Sequence, residues 1–98
     1  MSLPVVLRPE ATRDVEEARD YLDSQRAGLG QMFLDRLNDT LVRIGTMPEM
    51  YGVVWQKVRA SLLRKFQYVV YYRVHDDRVE VLAVMHGSRD GSAWQGRV

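Results

Sequence analysis

The fold class that the sequence predicts is α+β: an N-terminal helical hairpin packed on a small, mainly antiparallel sheet, in the order β-α-α-β-β-β. Two observations lead to this prediction. Residues 10–44 carry two apolar stripes at helical spacing, separated by a glycine-containing break at residues 27–30. Residues 66–86 instead alternate with period two and are rich in β-branched and aromatic residues. Because each helical stripe needs an apolar cover, we expect the helices to pack on the strands.

The first strand and the first helix are predicted from residues 3–25. Leu3–Leu7 is a short apolar run that contains Pro4, which is typical of a strand at a sheet edge. Pro9 suits the first turn of a helix, so we expect the first helix from about Glu10 to Gln25. Its apolar stripe consists of Ala11, Val15, Ala18 and Leu22.

The second helix follows the break and ends near Gly45, since Pro48 prevents much continuation. Its apolar stripe consists of Phe33, Leu37, Leu41 and Ile44, with Arg36, Asp39 and Arg43 outside it. The short connection between the two helices predicts that they are antiparallel.

A β-hairpin is predicted over residues 66–86, with the polar turn His75–Arg78 between its strands. One face of its first strand carries Phe66, Tyr68, Val70, Tyr72 and Val74, and we expect Tyr68 and Tyr72 to lie in the core. Tyr71 points to the other face and is the better candidate for contact with a partner. Val53–Trp55 and Val58–Leu63 also look extended: they form one bent strand or, the interpretation we favour, a loop followed by a strand.

Residues 87–98 contain three glycines and Trp94, which favours a loop or a short helical turn held by the indole as a lid over the edge of the sheet. With 98 residues and no linker or repeat, we expect residues 1–98 to form one domain.

The composition excludes several classes of chemistry. The chain has no cysteine, so it forms no disulfide and uses no thiolate nucleophile. His75 and His86 are its only histidines, which argues against a structural zinc site, and we expect no cofactor. No apolar run approaches the roughly 20 residues that span a bilayer, and the first ten residues lack the features of a signal peptide. We therefore expect a cytoplasmic protein without a membrane partner.

The two halves of the chain carry opposite net charges. Residues 1–50 contain six arginines and nine acidic residues, whereas residues 51–98 contain eight lysines or arginines and four acidic residues. The positive half contains the hairpin, which hints that this half meets a polyanion or an acidic partner.

The candidate site consists of Arg59, Arg64, His86 and Arg89. A hairpin brings its two outer ends together, so we expect Arg64 and Lys65 to lie near His86 and Arg89. More generally, we expect the arginines to gather around the single histidine.

Each member of this set has a functional and a structural interpretation. His86 acts as a general acid or base, or is a structural histidine hydrogen-bonded to the backbone of its turn. The arginines clamp a phosphate, grip an acidic segment of a protein partner, or form ordinary ion pairs with Glu49, Asp76 or Asp90.

An ordered set of residues resembles the RelE/ParE superfamily of toxins of type II toxin–antitoxin systems, and the ParE branch most closely. The matching residues are Pro9-Glu10-Ala11, Tyr21, Phe33, Leu37, Pro48, Val58-Arg59, Phe66, Tyr68, Tyr72-Arg73, the strand Val81–Met85, His86, Arg89 and Trp94. The sequence departs from the pattern at Gln67 and Gly91, where the family commonly has proline.

The resemblance implies a small cytoplasmic toxin that is neutralised by a cognate antitoxin in a hetero-oligomer. It implies one of two targets: DNA gyrase, poisoned by docking as in ParE-like members, or ribosome-bound mRNA, cut as in RelE-like members. In the second case the chain is a metal-independent endoribonuclease with Arg59, Arg64, His86 and Arg89 as catalytic residues. We rank the gyrase poison first, the ribonuclease second, and a non-toxic member that only binds its antitoxin third.

Overall fold

The computed structural model describes residues 2–98, in which two antiparallel helices cover one face of a five-stranded sheet. The elements are β1 (Val5–Leu7), α1 (Pro9–Gln25), α2 (Leu29–Thr46), β2 (Val53–Trp55), β3 (Val58–Leu63), β4 (Tyr68–Val74), β5 (Val79–His86) and α3 (Ser92–Gln95). The strand order is β1-β5-β4-β3-β2, with β1 parallel to β5 and every other pair antiparallel. The predicted α+β class is confirmed.

The helical hairpin depends on two small residues. Gly28 adopts a left-handed conformation, with φ of 89°, just before α2 begins. Gly30 packs so closely on α1 that an added Cβ would lie 2.7 Å from the backbone oxygen of Arg19. Its amide also donates to Oδ1 of Asp23 at 2.8 Å. The break that the sequence shows at residues 27–30 is therefore both a turn and a close contact between the helices.

The main core lies between the helices and the sheet. Phe33 of α2 is fully buried and meets Phe66 and Tyr68 edge to face, with ring centroids 5.7 and 5.2 Å apart. Tyr72 is also fully buried, and its hydroxyl donates to the carbonyl of Pro48 at 2.8 Å. Burial raises the pKa of Tyr72 to about 12. The predicted core positions of Tyr68 and Tyr72 are confirmed.

The opposite face of the sheet is covered by α3. Trp94 stacks on Tyr71, with centroids 4.3 Å apart and ring planes at 18°, and meets Trp55 edge to face. It packs with Val58 and Leu82 in a second cluster that extends across the sheet. The expected short helical turn held by Trp94 is confirmed, but two details were wrong. The indole covers the face of the sheet rather than its edge. Tyr71 packs beneath the indole and does not stand exposed for contact with a partner.

The segment before β3 differs from both interpretations of the sequence. β2 and β3 form a hairpin of their own, joined at Gln56 and Lys57, which both have positive φ. Such tight turns are usually marked by glycine or asparagine, so Gln-Lys gave no sign of this one. Val53 and Val54 are both exposed, so the period-two alternation of a half-buried strand was also missing.

A bulge in β5 shifts the phase of its side chains. Tyr71 pairs with Ala83 and Tyr72 with Val81, so Leu82 is the extra residue. Val81 and Val84 consequently face the main core, whereas Leu82 and Ala83 face Trp94. This strand is buried on both faces, which is why its sequence is continuously apolar.

Candidate functional site

His86 is the last residue of β5 and is exposed. Its Nδ1 accepts from the backbone amide of Ser88 at 3.1 Å and lies 2.8 Å from the Ser88 hydroxyl. Because the amide can only donate, Nδ1 is an acceptor and the proton of the neutral ring sits on Nε2. The ring also meets Tyr68 edge to face, with centroids 5.5 Å apart. This is the geometry of a histidine held by its own turn, with Nε2 as the atom that can meet a partner.

The concavity beside His86 is small and carries charges of both signs. It has a volume of about 120 Å³, and Tyr68, Asp14, Glu17 and Arg89 are among the residues that line it. Within residues 2–98, Arg89 is the only lysine or arginine that lines it. The expected proximity of Arg89 and His86 is therefore present, but two carboxylates of α1 lie beside them.

Arg64 lies at the same end of the sheet but faces a different helix. Leu63 and His86 both pair with Tyr68, one from each side, so the ends of β3 and β5 are about 10 Å apart. The side chain of Arg64 lines the groove between α2 and β3, together with Arg36, Arg43 and Lys65, and not the concavity at His86. We call this the α2–β3 groove.

Arg59 lies near the opposite end of β3, about 13 Å along the strand from Leu63. Its guanidinium donates to the carbonyl of Tyr51 at 2.6 Å and to that of Glu49 at 3.3 Å. It also lies 3.9 Å from the Glu49 carboxylate. Arg59 therefore secures the segment that precedes β2, as in the interpretation with an ion pair to Glu49.

The expectation that Arg59, Arg64 and Arg89 gather around His86 is therefore wrong. Only Arg89 shares the concavity of His86. β3 itself separates the two other arginines, because they lie near its opposite ends. The catalytic roles assigned to these four residues stay predictions.

Two charged networks are present that the sequence reasoning missed. In the first, Glu80 of β5 lies 2.8 Å from Nε2 of His75 and accepts from Arg73 at 3.1 Å. Burial disfavours the charged form of Glu80, but the hydrogen bonds from His75 and Arg73, together with the charges of Arg73 and Arg8, outweigh it and lower the pKa of Glu80. Arg73 and Glu80 pair directly across the hairpin, so a register drawn from the predicted turn at His75–Arg78 could have indicated this contact.

The second network closes the uncovered edge of β5. β1 pairs with β5 only as far as Val81, and beyond it Asp14 of α1 accepts from the amide of Val84 at 3.1 Å. Arg97 donates to the carbonyl of Leu82 at 3.1 Å and to both carboxylate oxygens of Asp14, at 2.6 and 3.2 Å. Arg8 in turn donates to the backbone oxygen of Arg97. No local sequence pattern predicts contacts between residues this far apart in the chain.

The α2–β3 groove is the other feature that the sequence reasoning missed. Arg36 and Arg43 lie seven residues apart on α2 and therefore on one side of the helix, which the spacing alone could have shown. What the spacing could not show is that this side turns toward the end of β3.

Among residues 2–98, no three side chains of histidine, aspartate or glutamate are grouped so that they could hold a metal ion. Over the same residues, no helix has the length and apolar character required to cross a membrane.

Comparison with known proteins assigns the family. The family model described as "ParE toxin of type II toxin-antitoxin system, parDE" matches residues 5–91. The chain is similar to Toxin ParE2 of Mycobacterium tuberculosis, strains CDC 1551 / Oshkosh and ATCC 25618 / H37Rv, with 31% identity over 70 residues in each. The match covers 66% of this chain and 67% of each relative.

The fold is similar to that of a chain in the structure titled "Chromosomal ParDE TA system from P. aeruginosa", with a TM-score of 0.65 and 12% sequence identity. The similarity covers 87% of this chain and 96% of that one. Because the family model spans all but the ends of the chain, this protein belongs to the ParE family of toxins of type II toxin–antitoxin systems.

Proposed function

We propose that this ParE-family toxin poisons DNA gyrase by docking, without chemistry of its own, and that a cognate antitoxin neutralises it. The observation that carries the proposal is the charge balance around His86. Phosphoryl transfer to a 2′-hydroxyl builds up negative charge, which a ribonuclease offsets with convergent cations. Here Glu17 and Asp14 line the same concavity as His86, Arg97 pairs with Asp14, and Arg89 is the only lysine or arginine of the described residues that lines the concavity.

The position of the other arginines supports the same proposal. Arg59 is held by backbone carbonyls near the far end of β3, and Arg64 lines the α2–β3 groove. Neither lines the concavity of His86. A docking toxin needs no such convergence, because its surface has only to complement its target.

Expression of the toxin without its antitoxin, and an assay with purified gyrase, test this proposal. We expect expression without antitoxin to cause filamentation and a DNA-damage response, and the purified toxin to block supercoiling of relaxed DNA by gyrase. The matched variant is His86→Ala, which should keep both effects and the thermal unfolding midpoint of the wild type. Loss of toxicity in a folded His86→Ala protein that still binds antitoxin would contradict docking without chemistry.

The ribosome-dependent endoribonuclease is the second candidate. It is favoured by the exposed Nε2 of His86, with Tyr68 and Arg89 lining the same concavity. It predicts cleaved transcripts that depend on ribosomes, with gyrase unaffected. Unchanged growth on expression would leave only the non-toxic member that binds its antitoxin.

The antitoxin is tested separately. We expect the product of the adjacent small reading frame to copurify with this chain as a hetero-oligomer in the cytoplasm. Failure of the two proteins to associate would contradict neutralisation by that partner.

A further inference from the structure

The α2–β3 groove concentrates positive charge at one end of the sheet. Its lining includes the exposed side chains of Arg36, Arg43, Arg64 and Lys65, and Asp39 is its single acidic residue among residues 2–98. The groove has a volume of about 390 Å³. Its cations outnumber its one carboxylate, although the whole chain carries a net charge of only +1. A cluster of this sign attracts an anionic partner.

Three of these cations have no acidic partner within the described part of the chain. No aspartate or glutamate there forms an ion pair with Arg36, Arg64 or Lys65. Arg59 and Arg97, in contrast, each meet a carboxylate. The positive charge of the groove is therefore available to a partner from outside the chain.

The two leucines that line the groove do not place an exposed apolar side chain in it. Leu62 pairs with Val69, which lies on the same face of the sheet as Tyr71, so its side chain points away from α2. Leu63 is only 2% exposed and belongs to the main core. Protein-binding patches have an apolar centre that is depleted of charged residues, and this lining is the opposite. It fits phosphates better than a protein segment.

The groove also lacks the aromatic side chains on which unpaired bases stack. Among residues 2–98, every side chain that lines it is charged, aliphatic or that of a threonine. Single strands are bound largely through such stacking, whereas a duplex can be held by its phosphates alone. Arg36 and Arg43 lie seven residues apart on α2, which is about 10 Å along its axis. Phosphates of one DNA strand recur about every 3.4 Å along the duplex, so this length spans about three of them.

We propose that the α2–β3 groove binds the sugar–phosphate backbone of duplex DNA without reading its sequence. Arg36 and Arg43 contact phosphates from the side of α2, and Arg64 and Lys65 contact them from the end of β3. Asp39 lies between the two arginines of the helix and weakens the binding. The inference goes beyond the proposed function, because the toxin binds the duplex whether or not gyrase is its target.

The salt dependence of binding measures the number of phosphates that are contacted. The test uses the full-length chain and a fluorescently labelled DNA duplex of about 20 base pairs, with affinity measured by anisotropy. Three phosphate contacts predict a slope of about −2.7 in a plot of log K against log salt concentration. The affinity should therefore fall about 40-fold between about 50 and 200 mM salt.

The variant Arg36→Gln combined with Arg64→Gln removes two cations of the groove. It should weaken binding at about 50 mM salt by about 10-fold or more and reduce the salt slope by about two. The matched control is Arg13→Gln combined with Arg26→Gln, which makes the same change in net charge at exposed positions on α1 and directly after it. It should change the affinity by less than about threefold.

A variant that gains affinity separates the inference from any loss of folding. Asp39→Asn removes the one carboxylate of the groove and should strengthen binding of the duplex by about threefold or more. The control Glu16→Gln removes an exposed carboxylate of α1 and should change the affinity by less than about 1.5-fold.

Three results would overturn the inference. The first is that the duplex does not bind at about 50 mM salt, or that the groove variants and their controls behave alike. The second is tighter binding of a single-stranded oligonucleotide of the same length, since the groove offers no surface for stacking. The third is a poly-glutamate peptide that binds more tightly than the duplex and loses its affinity in the Arg36→Gln, Arg64→Gln variant, which would assign the groove to an acidic protein segment.

Discussion

The guanidinium of Arg97 lies 2.6 Å from a carboxylate oxygen of Asp14, and this pair ties the segment after α3 to the first helix. The two side chains are 21% and 11% exposed, so the pair is mostly shielded from water. Together they also satisfy the amide of Val84 and the carbonyl of Leu82, which β1 leaves uncovered. The contact protects the edge of β5 where its partner strand ends.

We expect Arg97→Ala to lower the free energy of unfolding by about 2 kcal/mol, because Asp14 and Leu82 both lose a partner in a shielded site. Urea denaturation at neutral pH measures the change. Arg78→Ala is the matched control, since Arg78 also lies 2.9 Å from a carboxylate, that of Asp77, but with 77% of the acidic side chain exposed. Its loss should be under about 0.5 kcal/mol, and equal losses in the two variants would contradict a role for shielding.

The Glu80 network should make stability depend on acid pH. Because the pKa of Glu80 is lowered from 4.5, its contribution is fully present above that value and is lost as the pH falls through the lowered pKa. Glu80→Gln removes the charge, so we expect it to cost about 1–2 kcal/mol at pH 7 and less below pH 4. Unfolding curves of both proteins at the two pH values test this, and a constant difference would disagree with it.

Tyr72 should have the opposite dependence, at alkaline pH. Its raised pKa of about 12 means that the folded protein holds the phenol proton more tightly than the unfolded chain does. This contribution is therefore present below about pH 10 and lost as the pH rises toward 12.

The variant Tyr72→Phe separates the effect of ionising Tyr72 on stability from the effects of the other tyrosines. It lacks the hydrogen bond to Pro48 and should be less stable by about 1 kcal/mol at pH 7. The difference from the wild type should shrink or reverse above pH 10, as measured by urea unfolding across the alkaline range. A difference that grows with pH would show that the sign is wrong.

Gly30 and Gly52 provide a matched pair for the contact between the helices. An alanine Cβ at Gly30 would lie 2.7 Å from the backbone oxygen of Arg19, whereas at Gly52 nothing lies within 4 Å. Gly30→Ala should therefore cost about 2 kcal/mol, because the two helices must separate to admit the methyl group. Gly52→Ala should stay within about 0.5 kcal/mol of the wild type in thermal unfolding. Similar losses of stability in both variants would show that the effect comes from replacing a glycine and not from the contact between the helices.

The elements that sequence periodicity predicted correctly are those with a regular apolar face. α1 begins one residue before the expected Glu10, and α2 ends one residue after Gly45. The hairpin over residues 66–86 also forms, because its alternation and its polar turn point to the same structure. In these segments local propensity and tertiary packing agree.

The parts that could not be predicted depend on backbone geometry without a residue signature. The turn at Gln56 and Lys57 lacks glycine or asparagine, and the bulge at Leu82 lies inside a continuously apolar run. The candidate site was misjudged for a different reason. β3 was expected, and its length alone separates Arg59 from Arg64, so that part of the error was avoidable.

The parallel pairing of β1 with β5 has a consequence for how the nascent chain matures. Val5 pairs with Val79, and Arg8 and Asp14 both contact Arg97, so residues 5–14 bond to residues far along the chain. Contacts this distant in sequence form slowly, and they cannot form while residues 79–97 are still being translated. A toxin built this way acquires its finished surface only after residues 79–97 have been made, and a copy terminated before them lacks the strand on which residues 5–7 must close.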